Sequence, residues 1–121
     1  MRFRPGQHLR RQNDIREVRQ TGKRIDCRAF TVWWMPRQEN PPLRRACFVA
    51  STQAVGKAVL RNRAKRRMRE IFRAHQDRLP ASCDLMLVAR SQVNQWPFAR
   101  LSQIFAESCV RMSAAPASPN P

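Results

Sequence analysis

Acidic residues are scarce in this chain of 121 residues: eight Asp and Glu stand against 24 Lys and Arg, for a formal net charge of +16. The eight carboxylates, Asp14, Glu17, Asp26, Glu39, Glu70, Asp77, Asp84 and Glu107, show no metal-ligand spacing. The two histidines, His8 and His75, fall in an arm and at a helix end, outside any acid/base pair. Catalysis by the polypeptide itself is therefore not expected, and neither catalytic nor metal-ligating residues are assigned. Lysine is scarce too, since only Lys23, Lys57 and Lys65 accompany the arginines. Arginine's planar fork suits phosphates and stacked bases, so the excess charge implies nucleic acid rather than a generic anion.

Four cysteines, Cys27, Cys47, Cys83 and Cys109, form no C-x-x-C pair, which excludes a zinc knuckle or a redox motif and leaves buried free thiols. No apolar run approaches the roughly 18 residues that span a bilayer, and Met1 to Leu9 lack an apolar signal core. The expectation is a cytoplasmic protein with no membrane partner. A length near one domain also argues against a separate cofactor domain.

What is present orders itself along the chain. Residues 1–12 are basic, with Pro5 and Gly6, and read as an extended arm. Residues 113–121 hold three prolines and no large apolar side chain, and read as a disordered tail, leaving 1–112 as one domain. A short helix is predicted from Asn13 as N-cap, with Ile15 and Val18 on its apolar side and Gly22 as its stop. Ala29 to Met35 reads as a strand, with Phe30, Val32 and Trp34 on one face and Thr31, Trp33 and Met35 on the other. A loop with Asn40-Pro41-Pro42 leads to a second strand over Ala46 to Ala50.

Between Lys57 and His75, Leu60, Ala64, Met68, Ile71 and Phe72 recur at helical spacing. Asp84 to Ala89 is an unbroken apolar strand, buried on both sides, and a last helix starts at Pro97 with Leu101, Ile104, Phe105, Cys109 and Met112 inward. The order is α-β-β-α-β-α, an α/β (α+β) sandwich with helices packed on a small sheet.

The segment from Lys57 to Arg73 carries eight basic residues and one acid. Arg61, Lys65 and Arg69 lie four apart on one helical stripe, beside Asn62, Arg66 and Arg73. Like charges at this spacing repel by a few tenths of a kcal/mol per pair, roughly, and a bound polyanion would relieve that. A solvated basic face or a helix lying on anionic lipid are the blander readings of the same run. No helix-turn-helix spacing, zinc pattern or basic zipper supports a sequence-specific DNA binder.

The ordered string Gly56-Lys57-Ala58-Val59, then Arg61-Asn62-Arg63, Lys65-Arg66 and Arg69-Glu70, resembles the signature of the bacterial ribonuclease P protein subunit. The likeness extends to the helix stop at Gly22, the Arg28-x-Phe30 strand opening, and Leu79-Pro80 followed by Asp84. It covers roughly Gly6 to Met112. The resemblance implies a ribonucleoprotein endoribonuclease that removes the 5′ leader from precursor tRNA, with the active site and its magnesium ions carried by the RNA subunit. The expected partners are that RNA and precursor tRNA, with no obligate protein partner and no cofactor held by the protein alone.

By the same resemblance, Arg61, Asn62, Lys65, Arg66 and Arg69 contact the catalytic RNA, with Lys57, Arg63 and Arg67 as weaker additions. A leader groove would involve Ile15, Arg19, Thr31 and Trp33, although Trp34 could be the exposed tryptophan instead. A left-handed crossover at the basic helix is also implied. Two departures stand out: Ile15 and Arg19 occupy positions often aromatic in the family, and Ser51-Thr52-Gln53-Ala54 replaces a basic pair before Val55-Gly56. A structural RNA-binding protein of ribosomal type is the alternative function.

Overall fold

The first helix, α1 (Gln12–Thr21), begins one residue before the expected cap: Arg11 holds the cap position without a side-chain hydrogen bond, and Asn13 lies inside the first turn. It ends at Gly22, whose N–H donates to the Val18 carbonyl at 2.9 Å. A Cβ at Gly22 would sit 2.3 Å from the Val18 carbonyl oxygen and 2.7 Å from that of Trp34. Only glycine lets the helix end approach the neighbouring strand this closely. Gly22→Ala is expected to lower stability by about 1 to 3 kcal/mol, the usual range for overpacking, read as a lower denaturant midpoint. An unchanged midpoint would mean that this junction yields freely.

These observations come from a computed structural model that describes residues 5–37 and 43–114. Asn40-Pro41-Pro42, the start of the arm and most of the expected tail lie outside the described residues.

Four strands, β1 (Lys23–Asp26), β2 (Phe30–Pro36), β3 (Arg44–Val49) and β4 (Cys83–Ala89), form one sheet in the order β1-β2-β4-β3. Three of them lie where the sequence places strands, and β1 is the addition. β1 pairs antiparallel with β2, and β2 antiparallel with β4. β3 runs parallel to β4, so the chain must cross over between them. That crossover contains the one-turn α2 (Thr52–Val55) and the long basic α3 (Ala58–His75). Gly56 joins the two at φ 114°, a conformation that other residues seldom adopt. After β4 come a second one-turn helix, α4 (Gln92–Gln95), and α5 (Phe98–Ala114), which runs two residues into the segment expected as tail.

Register sorts the sheet's side chains by face. Val32 pairs with Leu87, and Leu87 with Phe48, while Trp33 pairs with Met86, and Met86 with Cys47. The first set meets α3 and α5: Phe30, Val32, Trp34, Leu85 and Leu87 are buried with Ala64, Met68, Ile71, Phe72, Leu101 and Phe105. Phe30 and Phe105 meet with ring centroids 6.3 Å apart, and Phe48 and Phe72 at 6.1 Å. The second set meets α1: Met86, Val18 and Leu9 are buried, with Ile15, Trp33, Met35, Cys47 and Val88 packed against them. Helices thus cover both faces, and β4 is buried on both, as its apolar run implies.

The arm does not stay free where it is described. Gln7 donates to Gln76 Oε1 at 2.6 Å and to the Arg44 carbonyl at 3.2 Å. His8 bridges in parallel to Ala46, and Leu9 donates to the Ala46 carbonyl at 2.9 Å. The arm therefore occupies the outer edge of β3, which would otherwise expose unpaired backbone groups.

Candidate nucleic-acid interface

Helical geometry divides the exposed surface of α3 into an outer face and two flanks. Ala64, Met68, Ile71 and Phe72 are buried and define the inner side. Arg61, Lys65 and Arg69 line the flank toward β3, and the Arg69 guanidinium lies 5.7 Å from the Phe48 ring centroid. Asn62, Arg63 and Arg66 point outward and are exposed. Lys57 is exposed at the helix start. All eight nominated residues of this segment keep solvent access, Arg61, Lys65 and Arg67 only in part, and among the described residues seven of them make no side-chain hydrogen bond, Arg61 Nε being buried without one.

Arg67 is the exception. Its Nε donates to the Val93 carbonyl at 2.8 Å and its Nη2 to the Trp96 carbonyl, so the fork ties α3 to α4. Burial, then the neighbouring Arg63, draws its pKa down from the ordinary arginine value. Two nitrogens of this guanidinium are therefore committed to holding the fold.

The helix's single acid is also occupied. Arg73 Nε lies 2.7 Å from Glu70 Oε1, and this bond holds the Glu70 carboxyl below the usual range. Among the described residues no carboxylate lies within ion-pair distance of Arg61, Arg63, Lys65 or Arg66. Their charge is left for an external anion.

A second basic surface lies on the opposite side of the sheet. Trp33, half-buried, has the Arg19 guanidinium 5.4 Å and the Arg24 guanidinium 5.9 Å from its ring centroid. Trp34 is buried in the main core with 5 % exposure, so the register settles which tryptophan faces α1. Ile15 and Trp33 pack against the same cluster of Leu9, Val18 and Met86, whereas Thr31 is buried and accepts from Arg90 Nη2 at 3.2 Å. Thr31 is therefore on the expected face but covered. Arg24 went unnoticed in the sequence because β1 shows no apolar alternation.

Beneath α1 sits a charge network that sequence reading did not reach. Asp84 is fully buried, accepting from Arg45 Nε and Nη2 and from Arg37 Nη1, each at 2.9 Å. Arg45 also reaches Asp14 on α1 at 3.4 Å. Burial pushes the Asp84 carboxyl upward, and the Arg45 fork opposes that. The network pins α1 to β3 and β4, which fixes the floor and one wall of the surface around Trp33.

The remaining polar groups are quieter. His8 is held below its ordinary pKa by burial and then by Arg10 and Arg69, and His75, bonded to Ser102, is lowered by burial. All four cysteines are free; burial pushes Cys47 up to about 11 and Cys83 and Cys109 to about 12. These thiols are protonated at neutral pH and poor nucleophiles. Among the described residues no three His, Cys, Asp or Glu gather into a set able to hold a metal ion, and no helix is long and apolar enough to cross a membrane.

Comparison with known proteins gives a consistent answer. The family model described as Ribonuclease P matches residues 3–113. The ribonuclease P protein component of Desulfovibrio desulfuricans is 36% identical over 87 residues, covering 72% of this chain and 66% of that protein. That of Chloroflexus aurantiacus is 40% identical over 96 residues, covering 77% and 67%. The chain thus spans about two thirds of the length of these relatives. Among solved structures, the RNase P protein from Thermotoga maritima superposes with a TM-score of 0.74 at 24% identity, covering 86% of this chain and 96% of that one. The Staphylococcus aureus RNase P protein gives 0.71 at 21%, covering 89% and 95%. At these identities the structures bear on the fold alone.

Proposed function

The chain belongs to the ribonuclease P protein family, and from that premise we propose that it is the protein subunit of a ribonucleoprotein that removes the 5′ leader of precursor tRNA. The observation that carries the reading is α3: a helix on which Arg61, Arg63, Lys65, Arg66 and Arg69 have no ion-pair partner among the described residues, in the order Arg61-Asn62-Arg63, Lys65-Arg66, Arg69. Arg61, Lys65, Arg66 and Arg69, with Asn62, Lys57 and Arg63, hold phosphates and exposed bases of the catalytic RNA. The RNA carries out the hydrolysis and holds the magnesium ions. The polypeptide binds and orients, and it works in the cytoplasm.

On the other face, the leader runs over α1 and β2. Trp33, flanked by Arg19 and Arg24, combines a ring that can stack an unpaired base with two cations that can meet its phosphates. Ile15 supplies apolar contact beside it. Thr31 acts from beneath, by fixing Arg90.

Trp33→Ala tests this division of labour. Stacking of one base is worth about 1 to 3 kcal/mol, so KM for leader-bearing precursor should rise about 5- to 150-fold. Affinity for the RNA subunit should change little. Equal losses in both would indicate a damaged fold, and an unchanged KM would remove Trp33 from the leader path.

A further inference from the structure

We propose that the junction of α4 and α5 is a second contact for the RNA subunit, in which the Arg100 guanidinium, laid flat on Trp96, forms a platform for an unstacked base. The inference rests on the reading of α3 as the helix that holds the RNA subunit. Arg100 Cζ lies 3.8 Å from the Trp96 ring centroid, the distance of a planar stack, whereas Arg19, Arg24 and Arg69 stand 5.4, 5.9 and 5.7 Å from their rings. A guanidinium stacked on one face leaves its other face open, and Arg100 is exposed. Among the described residues no carboxylate stands within ion-pair distance of it.

The platform is rigid from below. Trp96 packs against the main core, its backbone N–H donates to the Gln92 carbonyl at 2.9 Å, and its backbone carbonyl accepts from Arg67. Asn94 Nδ2 donates to the Leu60 carbonyl at 2.9 Å, so α4 is fastened to α3 at two levels. An arginine held flat loses little freedom on binding, which favours stacking over loose phosphate contact.

The surroundings suit RNA better than another protein. Leu60 and Arg67 lie seven residues apart on the flank of α3 opposite Arg61, Lys65 and Arg69, with Arg63 between the two flanks on the outer face. RNA seated on the outer face would therefore reach Arg100 by extending over the second flank. Leu60 on this flank, Val59 on the outer face beside Arg66, and Phe98 at the start of α5 are exposed at 39, 77 and 40 %, giving apolar surface between cations. Bases with charged backbones match that mixture, and the continuity with α3 assigns the RNA subunit rather than precursor tRNA.

The test compares full-length wild type with Arg100→Ala, Arg100→Lys and the triple variant R61A/K65A/R69A, measuring Kd for the RNA subunit at several salt concentrations and Kd for precursor tRNA alone. Arg100→Ala is expected to weaken RNA-subunit binding about 5- to 150-fold, the range of one lost stack. Arg100→Lys keeps the charge but not the plane; it should keep the wild-type salt slope and still lose most of that affinity. Precursor tRNA binding should be unchanged, and thermal melts should match wild type. Wild-type affinity in Arg100→Lys would overturn the platform, because charge alone would then suffice. So would an Arg100→Ala value within twofold of wild type, or a loss confined to precursor tRNA. If R61A/K65A/R69A binds normally while Arg100→Ala does not, the platform stands and the α3 reading fails.

Discussion

Replacing Arg61, Lys65 and Arg69 together by alanine is expected to weaken binding of the RNA subunit by about 3 kcal/mol, roughly a hundredfold. A charge-assisted hydrogen bond contributes about 1.5 to 3 kcal/mol when shielded, and about 1 kcal/mol is the fitting figure for side chains as exposed as these. Charge loss should also show in the salt dependence. Each phosphate contact contributes about 0.7 to 0.9 to the slope of log affinity against log salt, so the variant's slope should be shallower by about 2. Among the described residues none of the three makes an ion pair, and Arg69 alone has a ring contact, with Phe48. Stability should therefore hold or rise slightly as like-charge repulsion along α3 is relieved. An unchanged slope would take this stripe out of the RNA interface.

Asp84→Ala is expected to cost about 3 to 5 kcal/mol of stability, the range for removing one partner of a buried ion pair. The fork from Arg45 and the bond from Arg37 would be left without their acceptor, close under α1. Arg37 and Arg45 keep 24 and 17 % of their side-chain exposure, which places the loss toward the lower end. Because the carboxylate is fully buried, added salt should not reproduce the effect, unlike the screening of an exposed pair. Denaturant unfolding of wild type and variant at low and high salt measures both. A loss under about 1 kcal/mol would mean that the network is dispensable and that α1 is held by Leu9, Ile15 and Val18 alone.

Both predictions concern residues whose legibility in the sequence differs sharply. α3 was readable because its 18 residues run through five turns, enough for Ala64, Met68, Ile71 and Phe72 to declare a period, and because its cations stand in a recognisable order. β4 was readable for a similar reason, being apolar from Leu85 to Ala89. β1 was not, since Lys23-Arg24-Ile25-Asp26 has one apolar residue and forms only by pairing with β2. The one-turn helices α2 and α4 are too short for any period to appear.

At the candidate site the split follows the same physics. Alternation placed Trp33 opposite Trp34, but only the register with Met86 on one face and Leu85 on the other decides which side is the main core. Thr31 shares Trp33's face yet lies under Arg90, a tertiary contact that no local pattern carries. Arg67 looked like one more cation in a run, and its carbonyl acceptors in and just after α4 lie 26 and 29 residues away, around a helix that the sequence did not announce. Asp84 marked a strand start; that three arginine nitrogens converge on it depends on β3 lying beside β4.

The central claim, that this polypeptide assists cleavage performed by RNA, is tested most directly by 5′ cleavage of a precursor tRNA at low magnesium. The catalytic RNA alone, the protein alone and the two together would be compared. Weak cleavage by the RNA, none by the protein and strong rescue by the mixture are expected. Cleavage by the protein alone would contradict it by locating chemistry in the polypeptide, and a matched RNA left unrescued would contradict it in favour of a structural RNA-binding role.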